Sequence, residues 1–267
     1  MTLILKLVLA PLLVVGSTLA GRRWGDRVAG TLVAFPIVAG PILLIATLQH
    51  GTEFGARAAS ASLFGLVSLA VFAVSFAYLG RRYGWLPSLL LSWNATLAAD
   101  VVLMPFAAGP YAGLAVVMAG VWTAHRLVTR IDSGEVRTGG VPAPWWDLPG
   151  RAAATGLLVL TVTGISAAVG PAVTGMLAPF PIATGVVAAF VLGGQGPAAT
   201  IRTMAGVIRG LTGFAAFCFL LAILLGPFGV AGAFTAAVAG TLAVHLACRA
   251  VPVRRVPTTA PQGPART

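Results

Sequence analysis

Charge is what this chain has least of: 9% of its 267 residues are Asp, Glu, Lys or Arg, while 58% are hydrophobic. A soluble domain carries about 25% charged residues, so this chain could not cover a water-facing surface. Acidic residues are rarest, six in all. That leaves little room for the paired carboxylates of acid–base catalysis, and an enzyme is not the expected reading. Cysteine occurs twice, at Cys218 and Cys248, both inside apolar segments. Neither a disulfide framework nor a metal spacing is present. The chain also lacks a Walker phosphate loop, a His-Glu-x-x-His zinc motif and a Gly-x-Ser-x-Gly elbow. No cofactor and no metal is expected.

What is present is a series of apolar runs, each of the length that crosses a hydrocarbon core about 30 Å thick. A spanning segment must satisfy its own backbone, so it is a helix or part of a closed barrel. Barrel strands would alternate polar and apolar residues; these runs are apolar on all sides. The expected fold is an all-α integral membrane protein with nine spans, near 3–21, 28–48, 57–80, 85–104, 107–126, 151–170, 175–193, 200–225 and 229–248. The polar stretch 127–150 reads as a linker, with Trp145 and Trp146 at the bilayer interface. The Pro- and Arg-rich tail reads as disordered. The first 20 residues resemble a leader, but the basic cluster Arg22, Arg23 and Arg27 follows the apolar run instead of preceding it.

The net charge is +11, almost all of it from Arg. No recognition motif supports a nucleic-acid partner; the expected partners are the lipid bilayer and a small solute. Nine spans put 15 of the 17 basic residues on one face, with Lys6 and Arg57 on the other. That face should be cytoplasmic, which leaves the N-terminus outside and the C-terminus inside. Heavy use of Arg, Ala and Gly points to a GC-rich bacterium, hence to its inner membrane.

Shifting the chain by 145 residues aligns 30–40 with 175–185, identical at six of eleven positions, including Phe35-Pro36 with Phe180-Pro181 and Gly40 with Gly185. In the same register Gly51 meets Gly196, Arg57 meets Arg202, and Phe72 meets Phe217. The expected organisation is a repeat over 1–104, a connecting span and linker over 105–147, a second repeat over 148–249 and a tail over 250–267. An odd number of crossings separates the repeats, so they are inverted. The Phe-Pro, Gly and Arg series also resembles the small bacterial GlpM-type membrane proteins. That resemblance implies a fused duplication of a four-helix unit and adds no activity. A looser likeness, of topology alone, is to drug/metabolite-transporter folds.

Interrupted helices at matching places in two repeats point to a transporter's binding site. The candidate solute residues are therefore Phe35, Pro36, Gly40, Phe180, Pro181 and Gly185, with Pro41 and Pro179 as second breaks. Bends made for packing alone are the plain alternative. Arg57, Arg202 and Arg209 are candidates for attracting an anion, against the plain role of interfacial anchors. Asp100 and His245 occupy matching repeat positions. With Asn94 they are candidates for coupling, because ionisable groups at membrane depth are costly. His50, Glu53 and His125 read as loop or interfacial groups. The expected function is secondary transport by alternating access, an anionic or amphipathic solute being favoured over a cation. The alternative is a non-transporting scaffold or accessory protein of envelope polymer or lipid biogenesis.

Overall fold

The computed structural model describes residues 39–106, 109–131 and 178–250, with short stretches at 15–16, 18–20, 23–25, 31, 149–150 and 152–154. Every element in the long stretches is helical. In chain order they are α1 (Ala39–His50), α2 (Thr52–Leu79), α3 (Trp85–Leu103) with a 3₁₀ turn at Met104–Phe106, α4 (Pro110–Thr129), α5 (Ile182–Gln195) and α6 (Pro197–Ala250). Four of these, α2, α3, α4 and α6, are long and apolar enough to cross a membrane. The protein is membrane-embedded and all-helical over the described residues. Most of the expected spans 3–21 and 151–170, the first part of 28–48, the linker beyond Ile131 and the tail beyond Ala250 lie outside them.

Glycine punctuates the helices. Gly51 (φ 90°, ψ 168°) separates α1 from α2, and Gly196 (φ 82°, ψ −175°) separates α5 from α6. Both conformations belong to a region that only glycine enters without strain. Gly51 starts α2 at Thr52, five residues before the expected boundary, so Glu53 is a first-turn helix residue and not a loop residue. An acid there suits the positive end of the helix dipole. At 54 residues α6 is too long for one crossing; it turns at Gly229 (φ 64°, ψ −174°), two residues after Pro227. Its two arms match the expected spans 200–225 and 229–248.

The core lies between α2 and the first arm of α6. Phe64, Phe72 and Phe76 of α2, and Phe217, Leu211 and Leu221 of α6, are fully buried. A helix apolar on all sides belongs in such a central place. The outer helices reach α2 through small residues, as membrane interfaces do. On α4, Gly113 and Gly120 let the helix settle on Leu63 and Val67; a Cβ at Gly113 would stand 3.0 Å from Leu63. Buried hydroxyls bond back to their own helices: Ser62 Oγ donates to the Ala58 carbonyl at 2.9 Å and Thr203 Oγ1 to that of Ala199 at 2.9 Å. The outward faces carry Leu90, Val101, Tyr111, Trp122, Phe228 and Leu246, which suit lipid and would be a liability in water. Between α2 and α4 an open apolar groove of about 580 Å³ runs past Val67, Val71 and Val74 on one side and Gly120, Thr123 and Leu127 on the other.

Candidate functional site

On α3, Ser88, Ser92, Thr96 and Asp100 recur every fourth residue. That spacing puts them on one helical face. It is the inward face: their exposures are 0%, 0%, 1% and 8%. Lipid-facing positions carry Leu90, Leu91, Leu97 and Val101 instead. Two of the polar groups are satisfied locally, Thr96 Oγ1 donating to the Ser92 carbonyl at 2.7 Å and Ser88 Oγ pointing to that of Tyr83 at 3.5 Å. The rest are not. Ser68 of α2 faces the Asp100 carboxyl, but the geometry falls short of a hydrogen bond. Both Asp100 oxygens and the hydroxyls of Ser68 and Ser92 are buried without a partner.

The depth of this group follows from helix geometry. Ser68 lies 11 residues before the end of α2, and Asp100 lies 15 residues after the start of α3. At 1.5 Å per residue this sets the pair about 16 to 22 Å above the turn at 80–84. That is well inside a hydrocarbon layer about 30 Å thick. Asp100 is thus deeper than its place near the end of α3 suggests.

The second arm of α6 presents the corresponding face. Shifted by 145, the α3 positions become Ala233, Ala237, Thr241 and His245. The first three are fully buried, and Thr241 Oγ1 donates to the Ala237 carbonyl at 2.7 Å, as Thr96 does to Ser92. Ser68 becomes Gly213, where a Cβ would collide with the His245 ring. So Asp100 packs on position 68, and His245 packs on position 213. The two ionisable residues meet the same helix at matching positions.

The other candidates fall into groups. Phe180 is half-buried and Pro181 buried. The Trp93 ring stands 6.0 Å from that of Phe180, and its Nε1–H donates to the Pro181 carbonyl at 3.4 Å. Gly185 continues this contact, with Leu89 and Trp93 within 3.2 Å of where its Cβ would be. The motif of the second half therefore faces α3 and not lipid. Pro179 lies in the turn before α5, where the expected break occurs. Phe35 and Pro36 lie outside the described residues. Gly40 sits 3.6 Å from Phe217 by the same measure. Pro41 stands inside α1 and does not break it.

Arg57 and Arg202 do not open their helices; each is the sixth residue, in the second turn. Arg57 is exposed and pairs with Glu53 one turn back, Nη2 to Oε1 at 3.3 Å. The compensating acid expected for this arginine is thus in the chain itself. Arg202 is half-buried. Arg209 is exposed and lies near His125, as does Arg126; Arg126 covers the Trp122 ring at 4.8 Å. Asn94 does not join Asp100: it is exposed on another face of α3 and donates to the Leu90 carbonyl at 2.8 Å.

The polar face of α3 was legible in sequence as a four-residue spacing. Ser and Thr are common in membrane helices, however, and the pattern takes on meaning only once that face is seen to be buried. Among the described residues no cluster of His, Cys, Asp and Glu could hold a metal. The chain matches no family model, no curated protein and no solved structure, and its function has to be read from its own residues.

Proposed function

We infer that this chain is a secondary transporter that moves a small solute by alternating access. Two inverted repeats would rock about the region between the Phe180-Pro181 and Phe35-Pro36 breaks. The observation that carries this reading is the pairing of Asp100 with Ser68 and of His245 with Gly213 at positions 145 residues apart. The glycines Gly51 and Gly196, in near-identical backbone conformations at the same separation, support it. Two helix pairs that fold alike and end in ionisable groups suit a machine whose halves exchange roles. An intramembrane carboxyl is by default a functional group, and Asp100 would couple solute to an ion. Each half would then be one GlpM-like unit. The orientation that fits the charge asymmetry has the N-terminus outside and the C-terminus in the cytoplasm of a bacterial inner membrane. An anionic or amphipathic solute would rest on Arg202 and Arg209, because Arg57 is paired with Glu53.

The test is flux into liposomes holding the purified chain, across a panel of small anionic and amphipathic solutes. Asp100→Asn and Pro181→Ala should abolish flux, while Arg57→Ala should retain it. A folded protein that moves none of the panel would favour the second reading, a scaffold or accessory protein in envelope polymer or lipid biogenesis. The apolar groove between α2 and α4, open to lipid, is the observation on that side.

A further inference from the structure

We propose that Ser88, Ser92, Thr96 and Asp100 form a proton path that enters from the membrane face at the 80–84 turn and ends on the Asp100 carboxyl. The proposal rests on reading Asp100 as the coupling group and names its ion.

A buried carboxylate without a counter-ion is costly, and either a proton or a metal cation would relieve it. The oxygens within reach decide between them. Asp100 supplies two and Ser68 one, while Ser92, eight residues away on the same helix, is about 12 Å off by helical rise. Transporter sites for Na⁺ add carbonyls from unwound backbone. Neither helix unwinds here: α2 is continuous over Thr52–Leu79 and α3 over Trp85–Leu103. Three oxygens are too few to replace a metal ion's hydration shell, but one carboxyl oxygen is enough for a proton.

No other charge faces the site. At the level of Asp100, α2 offers Ser68, and its charged residues Glu53 and Arg57 pair with each other at its exposed start. α5, which packs on α3 nearer its start, carries no charged residue. On α3 itself Asp100 is the sole ionisable side chain.

The route is set by the hydroxyls, one per helical turn, spaced about 6 Å apart along the axis. A bridging water between successive hydroxyls spans that step. The comparison within the chain shows that packing does not require them. The matching face of the second half carries Ala233 and Ala237 where the first has Ser88 and Ser92, and both alanines are fully buried. A helix face that closes with alanine in one half has serine in the other, and the serines lead to the carboxyl.

The experiment uses the full chain in liposomes, with a lipophilic carbodiimide as probe and mass spectrometry of the Asp100 adduct as readout. Carbodiimides react with the protonated carboxyl, so adduct yield reports proton occupancy whether or not solute moves. Under a pH gradient, yield should follow the pH of the compartment facing Arg81 and Arg82, rising severalfold as that side is acidified. Sodium should not protect, and Asp100→Asn should give no adduct at this position. The Ser88→Ala, Ser92→Ala double variant should keep its melting temperature, as the alanines of the second half lead one to expect, and lose the link to that compartment's pH. Yield that follows the opposite compartment, ignores pH, or falls with sodium would overturn the proposal, as would a double variant that behaves like the parent. Intact labelling behaviour without flux of any solute would leave the proton path standing and remove the transporter reading alone.

Discussion

A carboxyl group 8% exposed between apolar helices, with neither oxygen accepting a hydrogen bond, weakens the fold that holds it. Burying an unpaired polar group costs about 1–3 kcal/mol by mutational measures. Asp100→Leu, similar in size and apolar, should therefore raise the melting temperature of the detergent-solubilised protein while ending any coupling. A lower melting temperature would mean that the carboxyl has a stabilising partner. The matching site makes the opposite prediction. Gly213 has no room for a side chain because the His245 ring occupies it. Gly213→Ala should cost about 1–3 kcal/mol as overpacking does, and His245→Ala should relieve most of that cost in the double variant. Additive effects would show that the two residues do not touch. The glycine could be read from sequence; its reason could not, because a glycine in a membrane helix looks the same whether it meets a ring, a backbone or lipid.

Helix boundaries are held by glycines whose backbone no other residue adopts easily. Gly51→Ala and Gly196→Ala should each cost about 1–3 kcal/mol in unfolding measurements. Gly194→Ala, helical and with open space around its Cβ, should be neutral or slightly stabilising. Equal effects at all three positions would contradict this account of the turns. At this scale the sequence was informative where an apolar run met a glycine or proline: α3, α4 and the arms of α6 lie close to their expected limits. It missed the start of α2 by five residues. Thr52, Glu53 and Phe54 are a plausible loop by composition, and what makes them helical is the turn at Gly51 before them. Pro41 misled in the other direction. A proline within an apolar run was read as a break, but α1 accommodates it.

For the whole molecule, the side on which each turn lies is the property most open to direct measurement. With Cys218 and Cys248 replaced by alanine, Glu53→Cys should react with an impermeant maleimide from outside the cell, and Arg82→Cys only after the membrane is opened. Labelling of both from one side would break the orientation that the 15-to-2 charge division supports. Composition by itself determined that the chain is helical and membrane-embedded, because a surface this poor in charge has no stable place in water and an unpaired backbone has none in lipid. Sequence alone also marked Asp100 and His245 as a matched pair. Only the tertiary structure decided which way each helix faces. It turned the serines of α3 inward and Asn94 outward, gave Arg57 to Glu53, and set Asp100 on Ser68 without a hydrogen bond. The reason is that a helix apolar enough to span a membrane can present any side to lipid. Its orientation is chosen by how small residues such as Gly113 and Gly213 let neighbouring helices approach, and that is a property of pairs of helices, not of any one of them.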